Sequence, residues 1–294
     1  MIKVGPAGWS YPDWEGAVYP SRMPPGLHPL RYLARYVECV EVNSTFYAVP
    51  STAVVEGWVR ALFGLPDFPV TVKLHRDFTH RQRADSRAEL EREAQAFLEV
   101  LEPLRRAERL RALLVQFPHS FHYQPHSVRW LGTLQALFGV APLVLEVRHN
   151  SWFEPPALAA VRGLGYSLAH IDLPSAWDHP PAWHPPTGPI GYLRLHGRNR
   201  TAWFDSKAGR DAKYDYLYGE RELVALSERA RRIAAEHDET YVVTNNHFNG
   251  KAVANALELL ALLRGRPPLA PAELVRAFPR LKPGTRIDGQ QDLF

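Results

Sequence analysis

Six short apolar segments of this chain close on pairs of polar residues two positions apart: Glu41 and Asn43, Lys73 and His75, Glu146 and Arg148, His170 and Asp172, Arg194 and His196, Asn245 and His247. Gln116 closes a further segment alone. Residues two apart on a strand share a face. That face mixes the carboxylates Glu41, Glu146 and Asp172 with the cations Lys73, Arg148 and Arg194. Arginine forks suit phosphate or carboxylate. A lysine among other cations has a lowered pKa and suits a general acid or a Schiff-base amine. Glu146, central and on the face of Arg148, is the leading general-base candidate. The catalytic candidates are therefore Glu146, Lys73, Asp172 and His196. The ligand-binding candidates are Glu41, Asn43, His75, Gln116, Arg148, Arg194 and the run Asn245, Asn246, His247. The bland alternative is a salt-bridge network that only fills space. Burying so many polar groups is costly without partners, which favours a ligand site.

The segments that must position these residues alternate in type. Strand-like runs occur at Ile2–Gly8, Cys39–Thr45, Val70–His75, Leu113–Phe117, Leu143–His149, Ser167–Asp172, Ile190–His196 and Tyr241–His247. Helical periodicity lies between most of them, at Leu30–Val37, Thr52–Phe63, Ser86–Leu110, Val128–Phe138, Pro156–Leu164, Glu220–Glu236 and Lys251–Leu263. Ser86 and Glu89 have the spacing of a capping box, and the sixth connection is Pro-rich with little helical pattern. Alternation predicts a parallel sheet, and eight repeats suit a single (β/α)₈ TIM barrel over residues 1–263. An open doubly wound sheet is the runner-up, but G-P-A-G-W after the first strand is no phosphate-binding glycine loop. The opposite parity is mainly apolar, as at Val72 and Leu74 or Leu193 and Leu195. One face thus packs on helices, and the other turns polar towards the C-terminal strand ends, where barrel enzymes place their sites.

G-x-x-G-W-S-Y-x-x-W at Gly5–Trp14, E-V-N-S-T-F-Y at Glu41–Tyr47, V-K-L-H-R at Val72–Arg76 and L-V-Q-F-P at Leu114–Pro118 resemble the DUF72, or YecE-like, family. So do E-V-R-H-x-S-W at Glu146–Trp152, Y-L-R-L-H-G-R-N at Tyr192–Asn199 and N-N-H-F-N-G-K-A at Asn245–Ala252. The resemblance implies a TIM barrel and, the family being one of unknown function, no activity. Glu146, Asp172 and His196 also look like the divalent-metal sites of xylose-isomerase-like barrels, which include endonuclease IV relatives. Asn245 replaces the further carboxylate of those sites, and Lys73, Arg148 and Arg194 oppose a divalent ion, so no cofactor is expected.

The N-G-K-A run from Asn249 opens the last helix, and helix N-termini after late barrel strands often hold phosphate. Trp9, Tyr11, Trp14, Phe46 and Tyr47 add aromatic surface. The Gly197–Gly219 connection interleaves rings and cations, suiting either bases and phosphates or a self-packed lid.

A charged fraction of 22% and one cysteine exclude a disordered chain and a disulfide scaffold. No apolar run is long enough to cross a bilayer, so a cytoplasmic protein with no membrane partner is expected. Net charge is +4, of which +3 falls in residues 264–294, so the body gives little electrostatic reason for nucleic-acid binding. Residues 264–294 form a Pro-rich basic tail whose end, Gln290 with Leu293 and Phe294, resembles the bacterial sliding-clamp binding peptide. The leading expectation is an enzyme, hydrolase or lyase/isomerase, on an anionic phosphate-bearing substrate, with a DNA-related role if the tail recruits it to the clamp. The alternatives are a sugar-phosphate or nucleotide enzyme with no DNA role, and a non-catalytic adaptor.

Overall fold

Every apolar run expected to form a strand does so in the computed structural model, which describes residues 1–65, 67–81, 86–205 and 207–289. The strands are β1 (Ile2–Pro6), β2 (Val40–Val42), β3 (Val70–Lys73), β4 (Leu110–Gln116), β5 (Leu143–Glu146), β6 (Ser167–Leu168), β7 (His170–Asp172), β8 (Gly191–Leu195) and β9 (Thr240–Thr244). They are rich in Val, Leu and Ile because both faces are covered, the usual pattern for parallel strands. One sheet has the order β1-β9-β8-β7 and the other β2-β3-β4-β5-β6, with every pair parallel. The result is a mixed α/β fold.

The sheets approach each other along two seams. At one, the Glu38 N–H donates to the Val4 carbonyl at 2.9 Å and the Gly8 N–H to the Glu41 carbonyl at 2.8 Å. At the other, the chain itself crosses between sheets at Ala169. Its N–H bonds the Leu145 carbonyl at 2.8 Å, and His170 then pairs with Leu193 of the other sheet. The expected sixth strand is thus two short ones.

Helices α1 (Pro29–Leu33), α2 (Thr52–Ala61), α3 (Arg87–Arg106), α4 (Pro125–Phe138), α5 (Pro155–Gly163), α8 (Glu220–Ala234) and α9 (Lys251–Arg264) separate most of the strands. The short α6 (Arg200–Phe204) and α7 (Arg210–Lys213) lie in the Gly197–Gly219 connection. Ser86 Oγ accepts from the Glu89 N–H at 3.2 Å, so the expected cap starts α3. That helix stops at Arg106 rather than Leu110, because Glu108 takes a left-handed turn (φ 55°) into β4.

Two apolar clusters follow the strand parity. The larger fills the space between strands and helices and includes Val72, Leu74, Leu193 and Leu195. The smaller contains Cys39, Ala112, Leu114, Val144, Ala169, Ile171, Tyr192 and Val243. Glu41, Gln116, Glu146 and Arg194 share the parity of this inner cluster and lie two residues towards the strand C-termini. The inner face is therefore apolar below and polar above, and that gradient positions the site.

Residues 264–289 are folded rather than trailing. Strand β10 (Leu269–Ala270) pairs with β11 (Arg286–Ile287), and Leu274 of α10 (Ala272–Ala277) and Leu281 are buried. Asp288 accepts from Arg35 Nη2 and from the Tyr36 hydroxyl, both at 2.6 Å. The clamp-like residues Gln290, Leu293 and Phe294 lie outside the described residues. No helix among the described residues is long and apolar enough to cross a membrane.

Candidate active site

Arg194, in the middle of the polar layer, ties the two sheets together. Its Nε and Nη2 donate to the two oxygens of Glu41 on β2, at 3.0 and 2.7 Å, and its Nη1 donates to Glu146 on β5. All three side chains are essentially sealed from solvent. Burial disfavours the arginine charge, yet Glu146 and Glu41 raise its pKa further above the ordinary value. The Tyr192 hydroxyl donates to Glu41 at 2.8 Å and accepts from Thr71 Oγ1, also at 2.8 Å. Burial alone would raise the Glu146 carboxyl, but Arg194 and neighbouring donors hold it well below the usual range.

His196 Nε2 lies 3.2 Å from Glu146 Oε1, and its Nδ1 lies 2.9 Å from the Asn245 amide nitrogen. Asn245 in turn accepts from Asn43 at 3.2 Å. Nδ1 accepts from Asn245, which places the ring proton on Nε2, close to Glu146 but outside hydrogen-bond geometry. Burial brings the His196 pKa down to about 4, so at neutral pH the ring is uncharged.

Above this layer opens a cavity of about 450 Å³ lined by Lys73, Arg148, Arg194, Asn43, Asn245 and His247 on its polar side. Trp9, Tyr11, Tyr47, Trp58 and Tyr214 supply aromatic wall. Trp9 meets Trp58 edge-on at 5.4 Å, and Tyr11 stacks on His247 at 4.5 Å. Glu41 and Glu146, fully buried, lie behind the cations and do not line the cavity. Lys73 Nζ donates to Gln116 Oε1 at 2.7 Å and sits 3.8 Å from the Phe46 ring centre. Burial first, then Arg194 and Arg148, brings its pKa down to about 7 against the pull of Glu146. Arg148 spans 3.3–3.4 Å to Glu146 Oε1 and rests over Trp203 at 5.3 Å. Such a site can bind an anion and exchange a proton with it near neutral pH.

A family model described as a protein of unknown function, DUF72, matches residues 3–277. The chain belongs to the DUF72 family. It is 27% identical over 277 residues to the UPF0759 protein YunF of Bacillus subtilis, covering 90% of this chain and 95% of that one. It is 30% identical over 153 residues to the UPF0759 protein YecE of Escherichia coli, covering 52% of this chain and 50% of YecE. The crystal structure of a DUF72 protein from Thermotoga maritima is similar with a TM-score of 0.77 and 32% identity, covering 90% of this chain and 99% of that one. A DUF72 protein from Enterococcus faecalis gives a TM-score of 0.77 with 27% identity, covering 90% and 96%.

In this DUF72 chain the expected residues Glu41, Asn43, Lys73, Gln116, Glu146, Arg148, Arg194, His196, Asn245 and His247 belong to the cavity or the layer beneath it. Asp172 does not. Its carboxylate takes two bonds from Arg198, at 2.8 and 2.7 Å, and one from the Tyr218 hydroxyl at 2.7 Å. The inward positions of that segment are Ala169 and Ile171, so the parity expected for His170 and Asp172 is reversed. His170 stacks on His184 at 3.8 Å instead. Glu146, Asp172 and His196 therefore do not form one ligand set. Asn246 also turns away, donating to the Tyr216 carbonyl and to Asn255 of α9, each at 2.8 Å. His75 lies 3.3 Å from Asp77 and does not line the cavity. The opening of α9 is no free anion site, because the Asn249 N–H donates to Asp13.

Sequence reasoning missed Trp58 on α2, His28 before α1, and the Thr71–Tyr192 support of Glu41. For Tyr192 and Thr71 the strand parity was available, since each lies two residues below a residue of the polar layer. Nothing in the pattern of α2 shows that it leans over the cavity.

Proposed function

We propose that this protein is an enzyme acting on a small phosphate-bearing molecule. We further infer that its two sheets form one (β/α)₈ barrel whose mouth holds that molecule. The seam bonds from Glu38 to Val4 and from Gly8 to Glu41, with the crossing at Ala169, support the ring. The observation that carries the functional reading is the layering of charge. Lys73, Arg148 and Arg194 face the cavity while Glu41 and Glu146 lie sealed behind them. Arg148 and Arg194 balance the two carboxylates, and Lys73 when protonated adds the positive charge that faces the ligand. Anion binding there uses Lys73 and the partly exposed Arg148 fork, with Arg194 adding charge from the layer beneath.

Lys73 carries the proton in this reading, because it faces the cavity and titrates near neutrality. Glu146, first among the catalytic candidates, becomes a positioning residue for Arg194, Arg148 and His196. The aromatic wall takes the planar or apolar remainder of the ligand. A cavity of this size suits a mononucleotide or sugar phosphate and not a duplex. An isomerase or lyase would use neutral Lys73 to abstract a proton, and a hydrolase would use it to activate water. A scaffold role gives no reason for a buried lysine facing an open cavity.

Thermal unfolding with ribose 5-phosphate or AMP, compared with ribose or adenosine, tests the reading. Stabilisation should require the phosphate and should fall at least about tenfold in ligand potency in Arg148→Ala. Equal effects of the phosphorylated and unphosphorylated compounds would reject it.

A further inference from the structure

A second group of titratable side chains lies outside the cavity described above. His119 follows β4, and Asp178 and His179 lie in the Pro-rich connection after β7. One donor atom from each of the three lies within 4.8 Å of the others. His119 Nε2 is already 3.1 Å from Asp178 Oδ2. Two ligands about 2.0–2.2 Å from one tetrahedral ion stand roughly 3.3–3.5 Å apart, so this pair is close to ligand spacing.

The surroundings prepare the third ligand. His179 Nδ1 donates to the Pro174 carbonyl at 2.7 Å, which fixes the tautomer and leaves Nε2 with its lone pair. The loop is pinned by the Asp178 carbonyl, which accepts from the Asn150 N–H at 2.8 Å. His149 faces His119 edge-on at 5.2 Å and stacks on His122 at 3.9 Å. Its Nδ1 is occupied by the Ser151 N–H at 3.2 Å, which makes it a support and not a ligand. A surface ion pair between His119 and Asp178 would by itself contribute little to stability and would not call for a fixed His179 tautomer beside it.

We propose that His119, Asp178 and His179 hold one first-row divalent transition ion with coordination positions left open. Two imidazoles and a carboxylate suit iron(II), zinc(II), cobalt(II) or manganese(II). The absence of thiolate disfavours copper(I), and calcium and magnesium prefer all-oxygen sets. The three residues are partly exposed and line a groove together with Arg148, which also lines the anion cavity. The ion thus sits next to the candidate active site but is held by different residues.

Untagged full-length protein stripped with a chelator should be titrated with cobalt(II) and read by visible absorption, then challenged with zinc(II). One ion per chain should bind, with ligand-field bands that zinc abolishes. His119→Ala and His179→Ala should each weaken binding at least tenfold, and Asp178→Asn serves if either alanine variant fails to fold. His126→Ala, outside the group, should bind as the parent does. Failure to bind stoichiometrically, or affinity unchanged in the folded variants, would overturn the proposal. The readout is metal alone, so that failure leaves the anion-site reading standing.

Discussion

Lys73 offers the sharpest physical handle. Its amine moves from an ordinary 10.5 to about 7 on folding. That shift of roughly 3.5 units, at 1.36 kcal/mol each, disfavours the charged amine in the folded state by about 5 kcal/mol. The folded pKa is depressed below the unfolded one, and the group is a base. Below pH 7 both states carry the proton and the destabilisation is fully present. As pH rises from about 7 towards 10.5 the folded state has lost its proton and the unfolded state has not. The destabilisation therefore fades through that window, by about 2–3 kcal/mol between pH 7 and pH 9. Lys73→Met removes the ionisable group. Its stability advantage over the parent should be greatest below pH 7 and shrink with rising pH. The direct assay is an NMR titration of the ¹³C-labelled lysine side chains, assigned with that variant. One resonance should titrate near pH 7. A Lys73 midpoint above pH 9 would mean that burial and the neighbouring guanidinium groups do not depress the amine, and would remove its proton-transfer role.

Other consequences follow from particular contacts. Arg194→Met leaves Glu41 and Glu146 buried without their main partner and should cost about 3–5 kcal/mol in urea unfolding; a loss under 1 kcal/mol would mean water replaces the guanidinium. Asp172→Asn should lower stability through Arg198 and Tyr218 yet leave phosphate-ester binding intact, as titration calorimetry would show. For the tail we propose sliding-clamp docking, and Leu293→Ala with Phe294→Ala should abolish binding to purified clamp without changing thermal stability; wild-type chain that does not bind at hundreds of micromolar would end that proposal.

Much of the fold was legible because parallel strands buried on both faces announce themselves as β-branched and leucine-rich runs, as at Thr240–Thr244. The polar layer was legible wherever a strand ran straight to its end, as at Lys73, Glu146 and Arg194. It failed at Asp172 for a local reason. The chain changes sheets at Ala169, the inward positions there are apolar, and Arg198 and Tyr218 supply outward partners for the carboxylate. Asn246 failed similarly, since β9 ends at Thr244 and Asn255 offers an amide on α9. The group of His119, Asp178 and His179 left no spacing to read, because loops after different strands bring it together. Trp58 was hidden because helical periodicity says which face is buried and not which helix overhangs a cavity.

We propose that Lys73, Arg148 and Arg194 make the cavity an anion site. Crystals soaked in tungstate, a phosphate mimic with strong anomalous scattering, test it most directly. An anomalous peak is expected in the cavity within hydrogen-bond distance of Lys73 Nζ and Arg148. Peaks confined to surface arginines, with the cavity holding only water, would contradict it.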